Sequence, residues 1–254
     1  MREKTRTGEG AGIGAIHLGT SGWHYEHWVG PFYPDDLRPR DFLRHYCDHF
    51  HTVEINNSFY QLPSEKTLKD WRDTSPSEFI FTAKASRFIT HMKKLLDPDE
   101  TLPPFLQRIR VLGGKLGPIL FQLPPNWKFN GKRLADFLEA LPKDLRYAME
   151  FRDQSWIKPE TYGTLADRGV AFCMYDLAGY QSPREVTADF VYIRLHGPEG
   201  AYQGQYHQKT LQSWAKDITA WAEDRQEVFC YFDNDEKGYA AQDALRLQEM
   251  INKG

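Results

Sequence analysis

Cysteine is scarce in this chain. Cys47, Cys173 and Cys230 are scattered over 254 positions, with no CxxC pair. That rules out a disulfide framework, and an odd, sparse set fits a reducing, cytoplasmic compartment. Cys173 and Cys230 sit in apolar runs and read as small packing residues. A basic excess is also missing. The 32 Lys and Arg are outnumbered by 35 Asp and Glu, a formal net charge of −3. This argues against a general duplex-DNA binder, though a local basic pocket stays open. Long apolar runs are absent as well. None approaches the roughly 18 residues of a membrane span, so no membrane partner is expected. The opening MREKTRTGEGAGIGA lacks the apolar stretch of a secretory signal. Its GEGAGIG precedes the first strand pattern instead of following it, which excludes a dinucleotide loop. Residues 1–13 are expected to form a flexible tail and 14–254 a single domain.

Short β-rich runs recur through the rest of the chain. They are AIHLGTS (15–21), TVEIN (52–56), FIFTAKA (79–85), GPILFQL (117–123), RYAMEF (146–151), VAFCMYD (170–176), DFVYIRLHG (189–197) and EVFCYFDN (227–234). Several are almost continuously apolar, as parallel strands covered on both faces are. Helical spacing fills most of the gaps, over 35–50, 64–73, 102–113, 132–141, 158–169, 209–225 and 238–251. Pro103 and Pro104 are placed near the start of the third of these, where proline is tolerated. The link 177–189 is short and holds Pro183, so no long helix is expected there. Eight strands alternating with helices in this length predict a single (β/α)8 TIM-type barrel with an irregular connection between strands six and seven. A doubly wound open sheet is the alternative.

Charge inside these strands is the informative feature. Glu150 and Arg152 lie two apart in RYAMEFR and therefore share a face. An ionised group in either apolar layer of a barrel is costly unless paired or solvated. The place that tolerates it is the C-terminal mouth, where barrel active sites lie. The pattern repeats at Glu54 and Asn56, at Lys84 with Thr82, at Gln122, at Asp176, at Arg194 and His196, and at Asp233 and Asn234 beside Tyr231. One such pair reads equally well as a structural ion pair. Polar groups at the ends of six or more strands converge only if the sheet closes, and convergence favours a site. The loops that follow are rich in aromatics, including Trp23, Tyr25, Trp28, Tyr60, Trp127, Trp156, Tyr202 and Tyr206. Most are expected to pack, and some to stack on a ligand ring.

Taken in order, GTSGWHYEHWVGPFYP, TVEINNSFYQLPS, FTAKASRFITH, ILFQLPPNW, AMEFRDQSW, YIRLHG and YFDND resemble the YecE-like family, also called domain of unknown function seventy-two. The likeness spans about residues 16 to 240 and is specific as a set. It departs at YFDND, where an asparagine-rich YFNND is expected. It implies a TIM-barrel-like fold and brings no activity with it. The motif positions it carries over are Glu54, Asn56, Tyr60, Lys84, His91, Gln122, Glu150, Arg152, Arg194, His196, Asp233 and Asn234.

These residues support a reading as an enzyme for a small phosphate- or carboxylate-bearing, nucleotide-like ligand. Lys84, Arg152, Arg194 and His91 would hold the anion, with Asn56, Tyr60, Gln122, Asn234 and Trp23 lining the site. Glu54 or Glu150 would serve as general base, with His196 and Asp233 completing the catalytic set. Phosphoester hydrolysis and a lyase-type proton abstraction both fit. No cofactor is predicted. A metal-dependent phosphoesterase is the first alternative, since Glu54, Glu150, Asp176, His196, His207 and Asp233 offer ligands for a divalent metal. A non-catalytic binder of a nucleotide or single-stranded nucleic acid is the second.

Overall fold

The computed structural model describes residues 13–253, so the expected flexible tail lies outside them except for its last residue. The strands are β1 (Ile16–Thr20), β2 (Thr52–Ile55), β3 (Ile80–Lys84), β4 (Leu116–Gln122), β5 (Tyr147–Glu150), β6 (Ala171–Leu177), β7 (Tyr180–Gln181), β8 (Phe190–Leu195) and β9 (Glu227–Phe232). The helices are α1 (Phe42–Cys47), α2 (Glu65–Thr74), α3 (Pro98–Ile109), α4 (Gly131–Glu139), α5 (Pro159–Ala166), α6 (Gln208–Glu223) and α7 (Tyr239–Lys253). The hydrogen-bonded order is β1-β9-β8-β6-β5-β4-β3-β2, all parallel, with the two-residue β7 antiparallel on β6. Eight parallel strands thus curl into a nearly closed TIM-type barrel with helices between them.

Closure falls between β1 and β2, where the ladder is reduced to a single bridge between Ser21 and Glu54. The Gly22 amide donates to the Glu54 carbonyl at 2.8 Å. One step below, the Tyr46 hydroxyl stands in for missing ladder bonds. It accepts from the Thr20 amide at 2.9 Å and donates to the Thr52 carbonyl at 3.1 Å. Gly19 makes this approach possible, because a Cβ there would lie 2.3 Å from the Thr52 carbonyl oxygen.

The link between β6 and β8 contains β7 and no helix, as its length and proline predict. Side chains satisfy the backbone that a ladder would have paired. Ser182 Oγ accepts from the Tyr175 amide at 2.8 Å. Thr187 Oγ1 accepts from the Phe172 amide and donates to the Val170 carbonyl, both at 2.7 Å. Two helices differ from expectation. The span 35–50 narrows to α1, preceded by a 3-10 turn at Pro39–Asp41, because Pro39 keeps the residue before it extended. The third helix begins at Pro98 and carries Pro103 and Pro104 in its interior. Its buried stripe of Leu102, Phe105, Leu106 and Ile109 holds it against the sheet despite the two missing donors.

Two apolar layers result. The larger lies between strands and helices and includes Phe42, Phe81, Phe121, Leu134, Trp156, Trp214 and Leu247. The smaller fills the barrel with Leu120, Ala148, Ala171, Cys173, Phe190, Tyr192, Phe229 and Tyr231. Its N-terminal end is closed by charge. Glu227 accepts from Arg146 and pairs with His17 Nε2 at 2.7 Å, while the Arg146 guanidinium lies 5.2 Å from the Phe190 ring and 5.1 Å from that of Phe229. Among the described residues, no helix is long and apolar enough to cross a membrane.

Candidate functional site

Strand parity brings Ser21, Glu54, Lys84, Glu150, Arg194 and Asp233 to the C-terminal end of the barrel interior, above the Tyr192 and Tyr231 layer. Arg194 is the hub and is fully buried. Its Nη2 lies 2.7 Å from Glu54 Oε1 and 2.9 Å from Asp233 Oδ2, and its Nη1 lies 3.0 Å from Glu150 Oε2. Nη2 also donates to Ser21 Oγ at 3.1 Å. Each carboxylate has further support. Glu54 accepts from Ser21 Oγ and, at 2.7 Å, from the Tyr192 hydroxyl. Glu150 accepts from Arg152 Nε. Asp233 Oδ2 lies 3.0 Å from His196 Nδ1, and His196 Nε2 lies 2.8 Å from Arg152 Nη2. His196 Nε2 also lies 3.3 Å from Glu150 Oε1 and 3.3 Å from Arg194 Nη1. Burial pushes the Glu150 carboxyl up, but the guanidiniums of Arg152 and Arg194 outweigh it and hold the group well below the usual carboxylate range. Burial likewise opposes ionisation of Asp233, and Arg194 and His196 reverse that, so it too titrates low.

This geometry revises two expected roles. Arg194 does not present a fork to a ligand, since three carboxylates already occupy it. Glu150 and Asp233, stabilised as carboxylates, are poor proton acceptors, and Glu54 is locked to Arg194, Ser21 and Tyr192. The network also puts a guanidinium where the metal reading needs an ion. Among the described residues, no group of three or more His, Cys, Asp or Glu is arranged to hold one. Asp176 turns instead toward Gln181, whose amide donates to it at 2.7 Å. The HxH of His49 and His51 lies just before β2, at the opposite end of the barrel from the mouth.

Lys84 differs from every other cation of the cluster. It ends β3, its backbone carbonyl accepts from Ser58 Oγ at 2.6 Å, and the residue is only 4% exposed. Its Nζ lies 4.5 Å from the Phe59 ring centre. Among the described residues it has no hydrogen-bonding or ion-pairing partner. Burial, reinforced by the positive charge of Arg194, brings its pKa from 10.5 down to about 8. His91 stands nearby on the π-helical turn Phe88–Met92, packed edge-on to Phe59 at 4.9 Å. Burial and the charges of Lys84, Arg87 and Arg152 lower its pKa. Arg152 is held by Glu150 and His196, and its Nη1 makes no hydrogen bond among the described residues. Its guanidinium lies 5.0 Å from the Tyr175 ring.

The other expected residues divide. Trp23, Asn56 and Tyr60 line a pocket of about 510 Å³ with Gly22, His24, Tyr25, Asn57 and Trp71. It adjoins the mouth at Gly22 and Asn56, and Asn56 Oδ1 is buried there without a partner among the described residues. Gln122 pairs in register with Glu150, and its Oε1 is likewise unpartnered. Asn234 does not join the cluster. Its Nδ2 donates to the Gly204 carbonyl at 2.8 Å and to Asp243 Oδ2 at 2.9 Å, which ties the loop after β8 to α7. Ser21 and Tyr192 were not among the expected site residues, and Tyr202 was expected only as one of the loop aromatics. Tyr192 was detectable, since it precedes Arg194 by two and shares its face. Ser21 shares the β1 face of His17 and Gly19, but a lone serine before a glycine gives no comparable signal. Tyr202 comes from a loop, where no parity rule applies; its ring lies 5.9 Å from that of His196.

An eight-stranded parallel barrel with its polar groups gathered at the strand C-termini defines a TIM-barrel protein. The chain belongs to the family described as protein of unknown function DUF72, which matches residues 17–254. Among its relatives, the UPF0759 protein YunF of Bacillus subtilis is 24% identical, over 93% of this chain and 95% of its own. The UPF0759 protein YecE of Escherichia coli is 31% identical over 160 residues, 61% of this chain and 55% of that protein. A crystal structure of a DUF72 family protein from Thermotoga maritima is similar at a TM-score of 0.84 and 31% identity, covering 94% of this chain and 99% of that one.

Proposed function

We propose that the barrel mouth binds a small phosphate- or carboxylate-bearing ligand and performs acid–base chemistry on it. One observation carries this reading: Lys84 is almost completely buried at a strand C-terminus and has no anionic partner, although three carboxylates lie in the same cluster. A lysine kept for stability is either paired or reaches water with its ammonium. An ammonium held beside Arg152 and His91 suits an anion supplied from outside. Arg152 would add a planar donor, fixed by Glu150 and His196, and Lys84 a point charge. Because its pKa is about 8, Lys84 is accessible in both protonation states near neutrality, which suits a general acid or base. Glu54, Glu150, Asp233, His196 and Arg194 act as positioning residues beneath the ligand. The adjoining pocket gives space for an uncharged remainder, so nucleotides belong among the test compounds.

Titration calorimetry with inorganic phosphate, a phosphomonoester, a mononucleotide and a dicarboxylate tests the reading. Saturable binding of at least one, weakened at least about tenfold in Lys84→Met (roughly 1.4 kcal/mol), is the expected result. Absence of binding, or equal binding by the variant, would overturn it. Tight binding of an oligonucleotide alone, steeply weakened by salt, would favour the nucleic-acid alternative.

A further inference from the structure

We infer that Lys84 is a nucleophile toward a carbonyl group, forming an imine with a small aldehyde or ketone that also carries a phosphate or carboxylate. The inference rests on the anion site proposed above and names the substrate class it would take. Its basis is the pairing pattern. Every carboxylate within the cluster is committed elsewhere: Glu54 to Arg194, Ser21 and Tyr192, Glu150 to Arg194 and Arg152, and Asp233 to Arg194 and His196. Lys84 is thereby left as an amine that no carboxylate clamps in its charged, non-nucleophilic form. The Ser58 hydroxyl holds its backbone, Phe59 flanks its Nζ, and the residue is only 4% exposed. Arg87 and Arg152, like Lys84, lie close enough to His91 to lower its pKa, and their guanidiniums are suited to hold the anionic end of the same molecule.

The chemistry balances without any oxidant or reductant. The lone pair of neutral Nζ attacks the carbonyl carbon, and a proton passes from the resulting ammonium nitrogen to the displaced oxygen to give a neutral carbinolamine. The carbinolamine then loses its hydroxyl with one further proton as water. Overall, a neutral amine, a carbonyl compound and one proton give an iminium ion and water. His91, whose Nδ1 contacts Thr90 Oγ1 at 2.9 Å, leaves Nε2 to relay that proton. A lysine brought from 10.5 to about 8 has roughly three hundredfold more neutral amine at pH 7. Desolvation of such lysines is a recognised route to Schiff-base chemistry.

The test is reductive trapping on the full chain. The protein is incubated with pyruvate, glyoxylate or glyceraldehyde 3-phosphate, reduced with borohydride, and mapped by peptide mass. The expected result is one adduct per chain on the Lys84 peptide with at least one probe, formed at least about tenfold faster than on any surface lysine. Inorganic phosphate should slow it. Lys84→Arg should abolish the adduct while keeping anion binding, which separates lost nucleophilicity from lost folding. Trapping spread evenly over surface lysines would overturn the inference. So would no Lys84 adduct from a protein that still binds phosphate, and this outcome leaves the anion site standing. A protein that shows neither binding nor adduct refutes both.

Discussion

At the scale of single residues, Lys84 and Arg194 carry the same charge sign under opposite conditions, and substitutions should separate them. Lys84 titrates lower in the folded chain than in the unfolded one. Its burial penalty is therefore fully present below about pH 8 and is relieved as the pH rises toward the ordinary lysine value, near 10.4. Lys84→Met, which removes the charge and keeps the volume, is expected to stabilise the chain at pH 7 by about 1–3 kcal/mol. The gain should shrink above pH 8 as measured by urea unfolding, and a loss of stability at pH 7 would mean that Lys84 is structural. Arg194→Met should do the reverse. It strands Glu54, Glu150 and Asp233 in a buried site, at a cost of about 3–5 kcal/mol. The folded pKa values of Glu150 and Asp233 are depressed. Their contribution is therefore present above about pH 4–5 and is lost as the pH falls further, so the gap between wild type and Arg194→Met should narrow in acid. A gap that stays constant from pH 7 to pH 3 would contradict the network described here.

At the scale of elements, the barrel depends on a weak seam. β1 and β2 share one bridge, one amide bond at Gly22 and the Tyr46 hydroxyl. Gly19→Ala would drive a methyl group to 2.3 Å from the Thr52 carbonyl oxygen, and overpacking of that kind costs about 1–3 kcal/mol. Tyr46→Phe should cost about 1–2 kcal/mol, because it leaves buried backbone groups unpaired. Hydrogen exchange at the Gly22 amide should accelerate in both variants more than at amides of β8, the strand farther from the seam. Equal protection at the two places would show the seam to be as firm as the rest of the ladder. The strands themselves were legible, since eight β-rich runs separated by helical spacing match the eight barrel strands. Helix ends were less so: Pro39 and Pro98 set two starts that apolar spacing alone misplaces. Parity in Glu54, Lys84, Glu150, Arg194 and Asp233 identified the shared face. It carried no information on depth, which is why Arg194 reads as a ligand fork in sequence and is a saturated hub in the fold. Asn234 failed for a related reason, since the next residue along a strand points to the other layer, and there it serves α7.

For the whole molecule, the cluster is close to neutral by construction: Lys84, Arg152 and Arg194 balance Glu54, Glu150 and Asp233. Adding an anion therefore makes a neutral site negative, and only the charged form of Lys84 keeps that favourable. Two effects of opposite sign follow as pH rises through about 8. The ligand-free protein gains stability as the lysine penalty is relieved, and the bound form loses the charge that holds its ligand. An anion at a hundred times its Kd stabilises a fold by about 2.7 kcal/mol through mass action. Thermal unfolding with and without phosphate, at such a concentration for pH 7, should show a clear upward shift in Tm at pH 7 that fades by pH 9. Sodium chloride at matched ionic strength should not reproduce it, because a screened surface effect is non-specific. In Lys84→Met the phosphate-dependent stabilisation at pH 7 should fall to about half or less, since a tenfold loss of affinity leaves about 1.4 kcal/mol, while the phosphate-free Tm at pH 7 lies above that of wild type. A phosphate shift that persists undiminished at pH 9, or is undiminished in Lys84→Met, would place the anion somewhere other than the mouth of this barrel.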